Sequence, residues 1–228
     1  MSCLRIGFGE RTITPPLGVD LCGYGFYLGR RAESVIDDLK VRAVFLESGG
    51  RALLLASCDV IGFTVEKADA IRAGIAAAHG LPRESVLLAA QPLPGLGDVD
   101  PAYLKRLEAL VAEAAAEAAA SPRPAEFSYA LEAVEPLGYN RRKNDFCGVD
   151  PVLKAAVFRT TERKIYLLNY ACHAVVFGRR AHVSADWPGA VVREVEKSGD
   201  KAVFFQGFCG DIDPVLQMNR WGEGTVAD

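Results

Sequence analysis

The chain has 228 residues, half of them hydrophobic and 24% charged, with a net charge of −3 and a pI near 5.7. That length and balance suit one α/β domain large enough to bury a core without staples. The mild acidity, with no basic run longer than Arg141–Arg142–Lys143, argues against nucleic acid as the main partner.

Other function classes fall away on local pattern. No apolar run approaches about 18 residues, so no transmembrane segment is expected. The opening MSCLRIGFG has no basic region followed by an apolar stretch, so no signal peptide is read. The cysteines (Cys3, Cys22, Cys58, Cys147, Cys172, Cys209) are scattered, without a CxxC pair. They read as small buried thiols of a reduced, cytoplasmic protein rather than as a zinc knuckle.

In chain order, short runs of branched and aromatic residues predict strands over 4–9, 41–47, 52–60 and 86–90, then over 126–134, 153–160, 164–172 and 202–208. The helical period of TVEKADAIRAGIAAAHG predicts a helix over 64–80 that ends at Gly80. PAYLKRLEALVAEAAAEAAAS predicts a second helix over 101–121, with Asp100 as N-cap and Pro101 at its first position. A third is expected from Trp187–Pro188 through 191–197, with Asp186 as its N-cap. The β/α alternation up to about residue 120 predicts a mixed, largely parallel β-sheet covered by helices. The strands at 153–172 form an antiparallel hairpin appended to it.

Candidate chemistry is sparse. The apolar run VLLAA leads into QPLPGLGDVDP (91–101), a loop in a favourable position that carries almost nothing able to catalyse or ligate. GDVDP (97–101), GVDP (148–151) and GDIDP (210–214) repeat one short pattern, and GDIDP follows a strand directly, where open α/β sheets bind ligands. Of three histidines, His79 reads as a helix-end residue, His182 lies in AHVSADWPG, and His173 follows a strand in NYACHAVVFG. Cys172 and His173 are excluded as a dyad, because neighbouring strand residues face opposite ways. Residue types alone give a possible hydrolase-like site on His173, Asp186, Asp211 and Asp213, or a hydrogen-bonded core histidine beside Asn169.

Taken together, ITPPLGVDLCGYG (13–25), DDLKVRAVFLE (37–47), LLLASCDVIG (53–62), GYNRRKND (138–145), NYACHAVVFG (169–178), HVSADWPG (182–189) and FFQGFCGDIDP (204–214) resemble the neutral/alkaline ceramidase family in order and content. The resemblance covers nearly the whole chain. It implies that residues 1–228 are the N-terminal α/β domain of a zinc-dependent amide hydrolase of the microbial branch, with a small-molecule or lipid-like amide as substrate. By the same resemblance His173 is a zinc ligand, Arg141, with Asn140 beside it, lines the substrate pocket, and Asp211 and Asp213 are the acids of the catalytic GD-x-x-P turn. The chain departs from the family pattern in two places. The loop after VLLAA lacks the family's two histidines, and Asp213 stands where proven ceramidases have a serine nucleophile. The family pattern also continues past Asp228 to further ligands. The alternative expectation is a non-catalytic binding or interaction module on the same fold.

Overall fold

The structure, a computed structural model, describes residues 3–21, 29–90, 101–177 and 180–217. The elements run β1 (Arg5–Thr12), β2 (Ser34–Val35), β3 (Lys40–Ser48), β4 (Arg51–Cys58), α1 (Val65–His79), β5 (Val86–Ala90), α2 (Pro101–Ala120), β6 (Arg123–Pro124) and β7 (Glu126–Ala133). They continue with β8 (Gly138–Asn140), β9 (Val152–Arg159), β10 (Lys164–Tyr170), β11 (His182–Val183), α3 (Asp186–Glu196), β12 (Lys201–Gln206) and β13 (Ile212–Pro214). The eight long strands and three helices are those the sequence predicts. Asp100, the expected cap of α2, and the loop 91–100 lie outside the described residues.

The α/β class and the mixed sheets hold, but antiparallel pairs predominate where a largely parallel sheet was expected. Strands order as β5-β4-β3-β1-β6 in one sheet and β12-β10-β9-β7 in a second. Only β4–β5 and β10–β12 are parallel within these two sheets. The reason is chain economy. Gly49 and Gly50, with φ of 59° and 74°, form a two-residue turn between β3 and β4, and such a turn can join only antiparallel neighbours. The two parallel pairs are the ones whose connections contain a helix, α1 and α3. The expected β9–β10 hairpin is present, closed by Thr160 N–H donating to the Arg163 carbonyl.

Side-chain alternation then stacks four layers. One face of the first sheet, through Val41, Ala43, Phe45, Leu54 and Ala56, packs under α1 and α2. Its other face places Ile6 and Val44 against Phe158, Ile165 and Val203 of the second sheet. The outer face of the second sheet, with Leu168, Tyr170 and Phe204, receives Trp187 and Val192 of α3. The closest approach is α2 on β1. A Cβ on Gly7 would overlap the Ala118 carbonyl, and one on Gly9 the Ala114 carbonyl, so only glycine lets the helix backbone lie this near.

The inter-sheet layer also carries charge. Glu10 of β1 accepts from Lys40 Nζ at 3.2 Å and from Lys201 Nζ of β12 at 2.8 Å. Arg42, 6% exposed, lies 3.4 Å from the Asp59 carboxylate, which also accepts the Lys40 amide at 2.9 Å. Burial pushes Asp59 up to about 6, against the pull of Arg42 and with Asp37 adding to the rise.

Two outcomes follow. Gly7→Ala should cost about 2–4 kcal/mol in urea unfolding, because a backbone carbonyl cannot give way. Gly74→Ala in α1, where a Cβ meets nothing within 4 Å, should instead stabilise by up to about 1 kcal/mol. A carboxyl whose folded pKa lies above its unfolded one holds its proton more tightly when folded. The stability Asp59 supplies is therefore full below about pH 4 and lost as pH rises through about 6. Relative to the native protein, Asp59→Asn should gain on the order of 3 kcal/mol between pH 4 and pH 7. A gap that does not change with pH would refute this assignment.

Candidate functional site

Parallel pairing of β10 with β12 brings two chain segments out side by side at their carboxyl ends. From β10 comes Ala171–Cys172–His173, and from β12 comes Gly207–Phe208–Cys209–Gly210. Gly207 N–H donates to the Tyr170 carbonyl at 2.9 Å, and a Cβ there would press on the Ala171 backbone. Gln206 Nε2 donates to the Cys172 carbonyl at 2.9 Å. The two turns are thus stitched together before any functional group is placed.

His173 is fixed by its backbone on both sides. Its N–H donates to the Ile212 carbonyl at 2.9 Å, and its carbonyl accepts the Trp187 indole N–H at 3.0 Å. Trp187 in turn lies edge-on to Phe204 and Tyr170, with ring centroids 4.9 and 6.0 Å away. The imidazole is half-buried between two groups: Nε2 lies 3.2 Å from the Gly210 carbonyl and Nδ1 lies 3.5 Å from Cys209 Sγ. The same Gly210 carbonyl accepts from Arg141 Nη2 at 3.1 Å.

Arg141 also holds Asp213 Oδ1 at 3.3 Å, with its side chain half exposed. The β8–β13 pairing sets this contact, placing Tyr139 opposite Asp213. His173 and Arg141 therefore meet at one carbonyl, and Asp213 joins them through Arg141. Asp211 does not join them, its carboxylate facing outward 4.0 Å from Arg142. Asn140 is used by its own turn: Oδ1 accepts from the Arg142 and Lys143 amides, and Nδ2 donates to the Cys147 carbonyl.

Asp186 is placed differently from expectation. Ala185 stands at the cap position, and Asp186 is the first residue of α3, 1% exposed, with φ of 52°. Its carboxylate accepts from the amides of Val176 and Phe177 at 3.1 Å and of Trp187 at 2.8 Å. Burial pushes its carboxyl above the usual range, the three amides pulling the other way. It is a tie between the His173 segment and α3. His182 Nδ1 pairs with Ser34 Oγ at 2.8 Å across β11–β2, and His79 ends α1.

Cys209 is the member that sequence reasoning missed. The signal was present, because two neighbouring parallel strands followed by His and by Cys put those residues on adjoining turns. Burial pushes the Cys209 thiol up, with its own backbone N–H and Arg141 pulling it back. The Cys172 thiol is also pushed up by burial.

The zinc implied by resemblance does not fit these residues. Even an open zinc site takes three protein ligands, and among the described residues no group of three His, Cys, Asp or Glu side chains is placed to hold a metal. Both nitrogens of His173 already have partners, and Asp213 faces a guanidinium. A separate groove of about 300 Å³, lined by residues such as Tyr129, Leu131, Ala156, Leu167 and Phe205, is apolar and includes none of the site residues.

With this geometry in place, known structures decide the fold. The chain matches a neutral ceramidase from Pseudomonas aeruginosa with a TM-score of 0.84 and 19% identity, over 94% of this chain and 40% of that one. It matches a ceramidase complexed with C2 with a TM-score of 0.83 and 19% identity, over 95% and 39%. The fold is that of the ceramidases. The chain spans about two fifths of their length, in keeping with the resemblance to an N-terminal domain. No family model and no curated protein matches. Among the described residues no helix is long and apolar enough to cross a membrane.

Asp186→Ala should destabilise the protein by roughly 3 kcal/mol, since it strands three amides in the interior. Asp186→Asn, which keeps one acceptor and tolerates the positive φ, should cost less. Equal losses in urea unfolding would show that the carboxylate is not the tie described.

Proposed function

We propose that the chain serves amide hydrolysis of the ceramidase kind, contributing the site around His173. The observation that carries this reading is the convergence of His173 and Arg141 on the Gly210 carbonyl, with Asp213 paired to Arg141, at the strand ends of a ceramidase fold. In this reading His173 moves the proton, and Arg141, half exposed and steadied by Asp213, offers its remaining N–H groups to the substrate carbonyl. Asp213 is then a positioning residue for Arg141, and Asp211 stays outside the chemistry. No step runs through zinc.

The substrate is an amide of a small or lipid-like molecule. A second reading, a binding module without catalysis, is favoured by one specific observation, that Asp213 is neutralised by Arg141 instead of being free to act as a base.

The purified protein should hydrolyse at least one member of a panel of N-acyl amides. His173→Ala should reduce turnover at least about 100-fold, the usual scale for a lost acid–base group. Arg141→Ala should reduce it less. Saturable binding of such amides that Arg141→Ala weakens, with no turnover by the native protein, would establish the binding module instead.

A further inference from the structure

We propose that the outer edge of β7 is a self-association surface, and that its occupant is the same strand of a second copy of this chain, paired antiparallel about a two-fold axis. The surface is separate from the candidate active site. Among the described residues β7 is an edge strand of the second sheet, paired on one side only, with β9. It is also the longest edge, eight residues against six in β12, five in β5 and two in β6. Every residue of β7 is exposed, whereas none of β12 is. Free edges are ordinarily guarded by lysine, proline, a bulge or a short strand. EFSYALEA has no lysine or proline, its register with β9 is unbroken, and none of its residues has a positive φ.

The alternation of β7 decides how a second copy fits. Phe127, Tyr129 and Leu131, 55%, 72% and 61% exposed, point to one face. Phe127 leans on Phe158 with ring centroids 5.2 Å apart, and Tyr129 and Leu131 edge the apolar groove. Glu126, Ser128, Ala130 and Glu132 point to the other face. Like faces stay together only when the axis passes through a residue that meets its own copy. An axis at Tyr129 would set Glu126 against the partner's Glu132, like charges directly opposed, and one at Leu131 would set Phe127 against the partner's Glu135. An axis at Ala130 avoids both. Tyr129 then meets the partner's Leu131, Phe127 meets the partner's Ala133, and the Ser128 hydroxyl faces the partner's Glu132 carboxylate. The strand is complementary to itself in charge and in apolar pattern, as a closed two-fold contact requires.

The area suits a weak dimer. The three apolar side chains expose on the order of 350 Å² per copy, and with the strand backbone the two copies together bury roughly 1,000 Å². That is the lower end for a specific interface, so association in the micromolar range is expected. Pairing would join two four-stranded sheets into one continuous sheet and leave no copy of β7 open.

The test is sedimentation equilibrium of the purified chain from about 1 µM to about 1 mM, with amide hydrogen exchange of β7 read at both ends of that range. A reversible monomer–dimer equilibrium is expected, with alternate amides of 126–133 exchanging several-fold more slowly at the high concentration. Tyr129→Lys combined with Leu131→Lys should weaken the dimer at least about 10-fold. The melting temperature of that variant's monomer should not change, because both side chains are exposed. Glu132→Lys, which places a cation diagonal to the partner's Glu126, should tighten the dimer about 2- to 5-fold. Ala130→Cys should form a disulfide between two copies under mild oxidation, and Ser128→Cys should not. A chain that stays monomeric throughout, a dimer indifferent to the double lysine variant, or cross-linking by Ser128→Cys instead of Ala130→Cys would overturn the proposal. So would β7 amides protected equally at every concentration, which would show the edge covered within one chain.

Discussion

The arrangement depends on one buried carboxylate. Asp186 gathers the amides of Val176, Phe177 and Trp187, binding the chain that leaves β10 to the start of α3. That bond places the Trp187 indole where it caps the His173 carbonyl and packs on Phe204 and Tyr170. The outer layer, the second sheet and the imidazole are therefore one mechanical unit. The same unit explains why an aspartate tolerates a left-handed backbone here. Asp is among the few residues that adopt it at modest cost, and three hydrogen bonds oppose that cost.

Asp37 extends the unit toward the first sheet, accepting from Ser184 Oγ and the Ala185 amide at 2.7 Å and pairing with Arg193 at 3.1 Å. Its charge also raises both Asp59 and Asp186. The two buried acids thus share one charged neighbour. These groups support from behind the turn in which His173 and Arg141 meet the Gly210 carbonyl.

The long elements were legible because each carries its own period. The alanine-rich α2, the hairpin at Thr160–Arg163 and the apolar strands β4 and β12 needed no tertiary information. Sheet direction was not legible from β/α alternation, since Gly49–Gly50 alone turns β3 back on β4. The pairs of two or three residues, β2 with β11 and β8 with β13, exist only because distant segments meet, and nothing local announces them. The site follows the same division. His173 and Arg141 were singled out from residue type, motif and resemblance, and the structure brings them to one carbonyl. Asp186 read locally as a helix cap, but two of its three amide partners lie nine and ten residues earlier. Cys209 was passed over because its significance depends on β10 and β12 being parallel neighbours.

The account stands or falls on which nitrogen of one ring faces the Gly210 carbonyl with its hydrogen. The direct measurement is the nitrogen-15 NMR spectrum of the histidine side chains near pH 8, with His173 assigned by its loss in His173→Gln. The account predicts hydrogen on Nε2, the nitrogen beside the Gly210 carbonyl, and none on Nδ1. Hydrogen on Nδ1, or a metal-bound nitrogen, would contradict it.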